Sequence, residues 1–282
     1  MIESSAITKK YKKFPAVDSL TFDVGEGEVF GFLGPNGAGK TTTIKILTCQ
    51  LKPTSGSARV AGFDVVKERE KVKSRIGVVF EDQNLYERLS AWQNLEFFAG
   101  LYGVDRSIAS GLIDRAGLKE RANDAVSKFS RGMKQKLLIA RALLPSPKVL
   151  FLDEPTLGLD PHAARELRNV IRELSSTGVT IFLTTHYMEE ADELCSRVAI
   201  IDKGKIVALD TPQNLKAANS PGLIDVDFNL DGKVVSRTIA IKGEESSREM
   251  AELISSGNLV SVKNKESTLE DVFIKLTGRS LE

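Results

Sequence analysis

The chain is predicted to be an α/β protein with a mixed-sheet core, an antiparallel β portion, a helical insert and a small C-terminal α+β appendage. Three observations predict it. Short β-rich runs alternate with helical stretches up to about Leu209, a β-free segment lies between about Glu87 and Leu144, and a new alternating pattern starts after a Pro/Gly break at Ser220 to Gly222. At 282 residues the chain has room for one large domain and a smaller one, and the expected division is 1–215 and 216–282.

The elements follow in order. Val29 to Leu33 reads as a buried strand, followed by a Gly-rich turn and a helix from about Thr41 to Gln50. Gly56 to Gly62 and Ile76 to Phe80 are strand-like and are assigned to an antiparallel portion with the N-terminal residues. In the segment 87–144, Trp92, Leu95, Phe98 and Leu101 recur at helical spacing, as do Leu112, Ile113 and Ala116. The aromatic stripe is read as core packing. Val149 to Leu152 is a buried strand ending in two acids, and Thr180 to Thr184 is another, ending at His186. Val198 to Asp202 and Lys205 to Leu209 form a hairpin around Lys203-Gly204. Beyond the break, Ile224, Val226, Phe228 and Leu230 alternate with polar residues. A strand near Val234 to Ile241, a helix from about Glu244 to Ser255 and a strand near Leu259 to Lys263 complete the appendage. Ser267 and Glu270 are read as the capping box of a last helix that stops at Gly278.

Composition narrows the function classes. Hydrophobic residues make up 41% and charged residues 27%, which excludes a disordered or fibrous chain. Lys plus Arg (39) against Asp plus Glu (38) leaves +1, which argues against a surface built throughout to hold nucleic acid. No apolar run approaches the roughly 20 residues of a membrane-spanning helix, and Met1 to Phe14 lacks the apolar core of a secretory signal. Cys49 and Cys195 lie far apart in apolar surroundings, so a reduced, cytosolic setting is expected, and His162 and His186 are too few for a structural zinc site.

Three places carry chemistry. Gly34-Pro35-Asn36-Gly37-Ala38-Gly39-Lys40-Thr41, with Thr42 after it, fits the eight-residue phosphate-binding pattern between a strand and a helix. Its glycines turn successive backbone N–H groups toward one centre, and the helix N-terminus adds its positive end. Lys40 is expected on the β- and γ-phosphates and the Thr41 hydroxyl on Mg²⁺. Asp153 and Glu154 end a buried strand; Asp153 suits Mg²⁺, and Glu154 is then free to polarise an attacking water. His186 ends a neighbouring strand and points at the same phosphate site. His162, on a new helix after Asp160, is read as an ordinary surface residue.

The order of Gly34 to Thr41, Phe129-Ser130-Arg131-Gly132-Met133-Lys134-Gln135, Leu152-Asp153-Glu154-Pro155, Leu157-Gly158-Leu159-Asp160 and His186 resembles the ATP-binding subunit of ABC transporters. The resemblance covers about Ile2 to Leu215 and implies a P-loop NTPase fold, ATP with Mg²⁺, and hydrolysis by Glu154, His186 and Lys40. It further implies that Ser130 and Gly132 contact the γ-phosphate held by a second copy in a head-to-tail homodimer. Asp160 is implied to bridge that interface, and Tyr11, among Lys9, Lys10, Lys12 and Lys13, to stack on adenine. A separately encoded membrane permease would hold the chain at the cytoplasmic face of the membrane, with no nucleic acid involved. Ser267 to Phe273 followed by Leu276-Thr277-Gly278 resembles the end of ATPases that serve exporters of drugs, sodium ions or lipid-linked polymers.

Two positions depart from the family. Its usual Ser-Gly-Gly is Ser130-Arg131-Gly132 here, with the role kept. Its Gln after the strand ending at Phe80 is replaced by Glu81-Asp82-Gln83, so either Glu81 or Gln83 takes that place, and Glu81 there would ligate Mg²⁺ while repelling the γ-phosphate. The alternatives are an ABC-type ATPase acting on nucleic acid or the ribosome, and a phosphate-loop kinase. The first usually has two ATPase modules or long coiled coils; the second leaves residues 129–135, Asp160 and His186 unexplained.

Overall fold

The computed structural model describes every residue except Lys13, Gln83, Asp231 and residues 280–282, and for Glu244 and Glu245 the backbone alone. The described residues divide into two compact units, Met1–Thr211 and 212–279. The first unit begins β1 (Ile2–Tyr11), β2 (Phe14–Val24), β3 (Val29–Leu33), α1 (Lys40–Leu47), β4 (Ser55–Val60), β5 (Phe63–Asp64), α2 (Arg69–Lys73) and β6 (Ile76–Val79). Three helices follow, α3 (Ala91–Tyr102), α4 (Arg106–Arg115) and α5 (Arg131–Leu143). The unit ends with β7 (Val149–Asp153), α6 (Pro161–Ser176), β8 (Thr180–Thr185), α7 (Met188–Leu194), β9 (Arg197–Asp202) and β10 (Lys205–Asp210). The second unit consists of α8 (Pro212–Asn219), β11 (Leu223–Leu230), β12 (Lys233–Ala240), α9 (Glu244–Ser255), β13 (Leu259–Asn264) and α10 (Leu269–Thr277).

Two sheets build the first unit. One is antiparallel, in the order β2-β1-β4-β5. The other runs β10-β9-β3-β8-β7-β6, parallel from β9 to β6, with β10 folded back antiparallel along one edge. Lys203 (φ 48) and Gly204 (φ 79) make the expected two-residue hairpin turn. Every residue of β3, β7 and β8 is buried, which suits uninterrupted apolar strands covered on both faces.

The core is held by an aromatic stripe. Phe30 and Phe151 stand opposite Phe182 on either side of β8, with ring centroids 5.8 and 5.6 Å from it. Phe22 of β2 lies 5.7 Å from Phe30, so the stripe also joins the two sheets. Truncating one such buried ring typically costs about 3–5 kcal/mol.

Several expectations are corrected by the structure. Ile76 to Phe80 does not join the antiparallel sheet; β6 pairs parallel with β7 at the edge of the main sheet. Gly77 permits this, because a Cβ there would lie 2.4 Å from the Ala142 carbonyl oxygen at the end of α5. Helix α1 stops at Leu47, short of Gln50, where Cys49 turns to φ 63. The stripe on α3 is only partly core: Leu95 is fully buried, whereas Leu101 is 66% exposed. The last capping box is formed by Thr268 and Asp271, one residue beyond the expected pair. Ser267 is buried there, and its hydroxyl donates to the Asn219 carbonyl instead. In the second unit, β12-β11-β13 packs Val226, Phe228 and Ile239 against Met250 and Leu253 of α9.

Candidate functional site

The parallel strands end at one level, and the loop after β3 leads into α1. Gly39 takes φ 111, and a Cβ on it would sit 2.5 Å from the Ala16 carbonyl oxygen, so the close turn excludes any side chain. Lys40 follows at the first turn of α1. Its ammonium is buried and donates to the carbonyls of Gly34 (2.6 Å) and Pro35 (3.3 Å). It also pairs with Glu154 Oε1 at 2.9 Å.

Glu154 is the hub of the polar groups. Its other oxygen, Oε2, lies 2.9 Å from His186 Nδ1, so the carboxylate bridges a lysine and a histidine from two different strand ends. Its backbone is left-handed at φ 50, a conformation uncommon for a residue with a side chain. The peptide is held there by its N–H, which donates to the carbonyl and the hydroxyl of Thr184, both at 3.1 Å. Thr184 also donates its hydroxyl to Asp153 Oδ1 at 2.5 Å.

Asp153 is 2% exposed. Burial pushes its carboxyl above the usual carboxylate range, hydrogen bonds from Thr184 and Thr41 pull the other way, and the charge of Glu154 adds to the rise. Glu190, buried on α7, is raised for the same first reason, with Glu154 adding to it.

Lys40 and Glu154 open onto a cleft of about 480 Å³ lined also by Ala16, Pro35, Asn36, Gly37, Gly39, Thr41, Thr42 and Glu81, whereas Asp153 and His186 do not line it. Most of the candidate nucleotide residues are therefore brought together. Gly34 and Ala38 belong to the same loop but are buried beneath it. Tyr11 is 51% exposed at the end of β1, where it does not line the cleft. Ser130, Gly132 and Asp160 do not line it either. Ser130 caps α5 by accepting from the Met133 N–H, and Asp160 caps α6 by accepting from the Ala163 N–H. Gln83 lies outside the described residues. Glu81 is exposed at the edge of the cleft.

The donor set fits ATP with Mg²⁺. Mg²⁺ is held by one or two carboxylates together with substrate phosphates and water, and rarely by an all-protein cage. Asp153 and the Thr41 hydroxyl that hydrogen-bonds it supply such a half-set, and among the described residues no group of three or more His, Cys, Asp or Glu could hold a metal alone.

Sequence reasoning missed several residues. Thr184 orders both acids, yet a threonine in a buried strand carries no local signal. Arg141 of α5 donates to the carbonyl and the side chain of Asn84, at 2.8 and 2.5 Å, and its guanidinium lies over Phe98 at 4.6 Å. Asn94 brackets Tyr86 with two hydrogen bonds. His162 is a surface residue, as expected.

The ABC transporter family model matches residues 17–157. The chain is 40% identical to a fluoroquinolones export ATP-binding protein of Mycobacterium tuberculosis, across all of this chain and 94% of that one. It is 34% identical to the linearmycin resistance ATP-binding protein LnrL of Bacillus subtilis, across all of this chain and 99% of that one. A solved dimeric ATP-binding cassette in a post-hydrolysis state, bound to ADP and Pi, is similar with a TM-score of 0.68 and 27% identity. That match covers 75% of this chain and 98% of the other.

The raised Asp153 sets a sign for stability. Its folded carboxyl holds a proton at pH values where the unfolded one has lost it, so its contribution to stability falls as pH rises through that window. Asp153→Asn should therefore gain stability over the parent at pH 7.5 and lose that gain toward pH values below the carboxylate range, read from urea midpoints. A variant that is relatively weaker at pH 7.5 than in acid would contradict this charge assignment.

Proposed function

The chain belongs to the ABC transporter family and is an ATPase, and we propose that it is the ATP-hydrolysing subunit of an exporter whose permease is a separate polypeptide. One observation carries the chemical part. Glu154 stands between Lys40 and His186, 2.9 Å from each, and lines the same cleft as the loop from Pro35 to Thr41.

In this reading the triphosphate enters the concave side of the loop, where Lys40 and the N-terminus of α1 face its charge. Phosphate oxygens then replace Glu154 as the partner of Lys40, which frees Glu154 Oε1 for a water. His186 keeps hold of Oε2 and so fixes the carboxylate's direction, with a contact of its own to the γ-phosphate. Glu154 takes a proton from the water as its oxygen bonds to the γ-phosphorus. The bridge from the γ-phosphorus to ADP breaks, and phosphate leaves. Asp153 and the Thr41 hydroxyl would hold Mg²⁺, with Glu81 or Gln83 assigned as a further partner, and the ion when bound would supply neutralisation of the phosphate charge. Tyr11 stacks on adenine.

Ser130, Gly132 and Asp160 are assigned to a second copy's nucleotide, because they lie at helix starts that do not line this chain's own cleft, with Ser130 and Asp160 exposed there. Two ATP molecules would then favour a closed head-to-tail homodimer, and hydrolysis would release it. The relatives' names support export as the class of work and leave the cargo of this chain undefined. No helix among the described residues is long and apolar enough to cross a membrane, so the reading gives the membrane-spanning part to the permease. That partner would hold the chain at the cytoplasmic face. Its docking surface is assigned to Tyr86, in the segment linking β6 to α3, and to Phe97, Leu101 and Tyr102 of α3, each 45–66% exposed.

Glu154→Gln should retain ATP binding and lose turnover by about two to four orders of magnitude, the usual worth of a positioned base. Near-parental turnover would sink the assignment of Glu154. Tyr86→Glu should leave hydrolysis by the free subunit intact while permease-stimulated hydrolysis and transport fall together. Transport at the parental level would show that the docking surface lies elsewhere.

A further inference from the structure

Arg131 is the residue where the chain departs from the Ser-Gly-Gly pattern, and its placement is unusual for a helix start. It is the first residue of α5, directly after the Ser130 cap, and Lys134 lies close behind it in a first turn that contains no acidic residue of its own. Two cations at the positive end of a helix oppose the helix dipole. An exposed arginine at this position could extend into solvent. Its guanidinium instead lies across Gly158: a Cβ built there would be 2.6 Å from Arg131 Nη1 and 2.9 Å from Cζ. Gly158 has φ 68, so it already occupies a conformation that favours glycine.

The contact has a second point beside it. A Cβ on Gly132 would lie 2.9 Å from the Ala163 Cβ, so the start of α5 and the start of α6 also touch directly. Farther along, Lys136 pairs with Glu166 at 2.7 Å, and Lys134 pairs with Glu87 at 2.6 Å. The loop under Arg131 is short and internally bonded, with Leu157 N–H donating to Glu154 O and Leu159 N–H to Thr156 O. One end of that loop carries Glu154, and the other carries Asp160.

We propose that Arg131 is a positioning residue: its guanidinium, laid over Gly158, fixes the Ser130 turn to the Glu154–Asp160 loop. The segments presented to a second copy and this chain's own Glu154 then move as one piece. This rests on the two-copy reading given above. A glycine at position 131 has no side chain with which to make the link, and a lysine lacks the flat guanidinium that covers a peptide.

Arg131→Ala tests the proposal in the full chain. The turnover number should fall by about tenfold, the effect of losing one hydrogen-bond-sized positioning contact, with the KM for ATP nearly unchanged. Amide exchange at Gly158 to Asp160 should accelerate while the global melt stays in place. Arg131→Lys should fail to restore either. Gly158→Ala should displace the guanidinium, so adding Arg131→Ala to it should slow turnover little further. Unchanged turnover, unchanged exchange, or effects of the two substitutions that multiply would each overturn the role. Parental hydrolysis strictly first-order in protein, with no ATP-dependent dimer, would instead overturn the two-copy reading and this role with it.

Discussion

The register of three adjacent parallel strands is the constraint on which the site depends. Leu33 of β3 stands opposite Thr185 of β8, and Thr184 stands opposite Asp153 of β7. The loop to Lys40, the His186 turn and the two acids therefore leave the sheet at one height. A slip of one residue in either pairing would turn every side chain of that strand to the other face. The Phe30, Phe182 and Phe151 stripe resists such a slip, because a shift of one residue would put neighbouring rings on opposite faces of the sheet. At about 3–5 kcal/mol per truncated ring, against a whole-domain stability of about 5–15 kcal/mol, the apolar core sets the register and the polar groups follow.

Those polar groups add little to stability on their own. Lys40, Asp153 and Glu154 are all buried, and removing such charges from water costs much of what their pairing returns. Glu154 also holds a left-handed backbone, and Asp153 sits where burial disfavours its charged form. Strain and desolvation collected at one strand end make sense as preparation for a multiply charged ligand, which can meet the lysine and the helix N-terminus together. Helix α5 extends the same logic outward. It holds Asn84 through Arg141, Glu87 through Lys134 and Glu166 through Lys136, and so contacts both the segment under Tyr86 and the helix capped by Asp160.

Much of this was legible in the sequence where the chemistry is local. The run from Gly34 to Thr41 needs only its own glycines and a following helix, and Asp153 and Glu154 announce themselves as acids ending an apolar strand. What escaped depends on distant partners. The run Ile76 to Val79 could join either sheet, and the decision rests on Gly77 meeting a carbonyl of α5 sixty-five residues later. Ser267 and Thr268 both satisfy a capping pattern, and the choice falls to Thr268 because Asn219 occupies the Ser267 hydroxyl. Leu101 keeps helical spacing yet stays exposed, because spacing fixes a face without saying what covers it. Thr184 and Arg131 act through groups that only the tertiary fold brings near.

The central claim is that one chain carries two half-sites which meet only across two copies. Asn36 is exposed on the phosphate loop, Ser130 is exposed at the start of α5, and the natural Cys49 and Cys195 are buried and so silent toward oxidants. The most direct measurement mixes chains bearing Asn36→Cys with chains bearing Ser130→Cys, in a background that binds ATP without turnover, and oxidises them with and without the nucleotide. The account predicts a covalent dimer that forms in the mixture and only with ATP. Failure to form that dimer at any ATP or protein concentration, while both chains bind ATP, would contradict it.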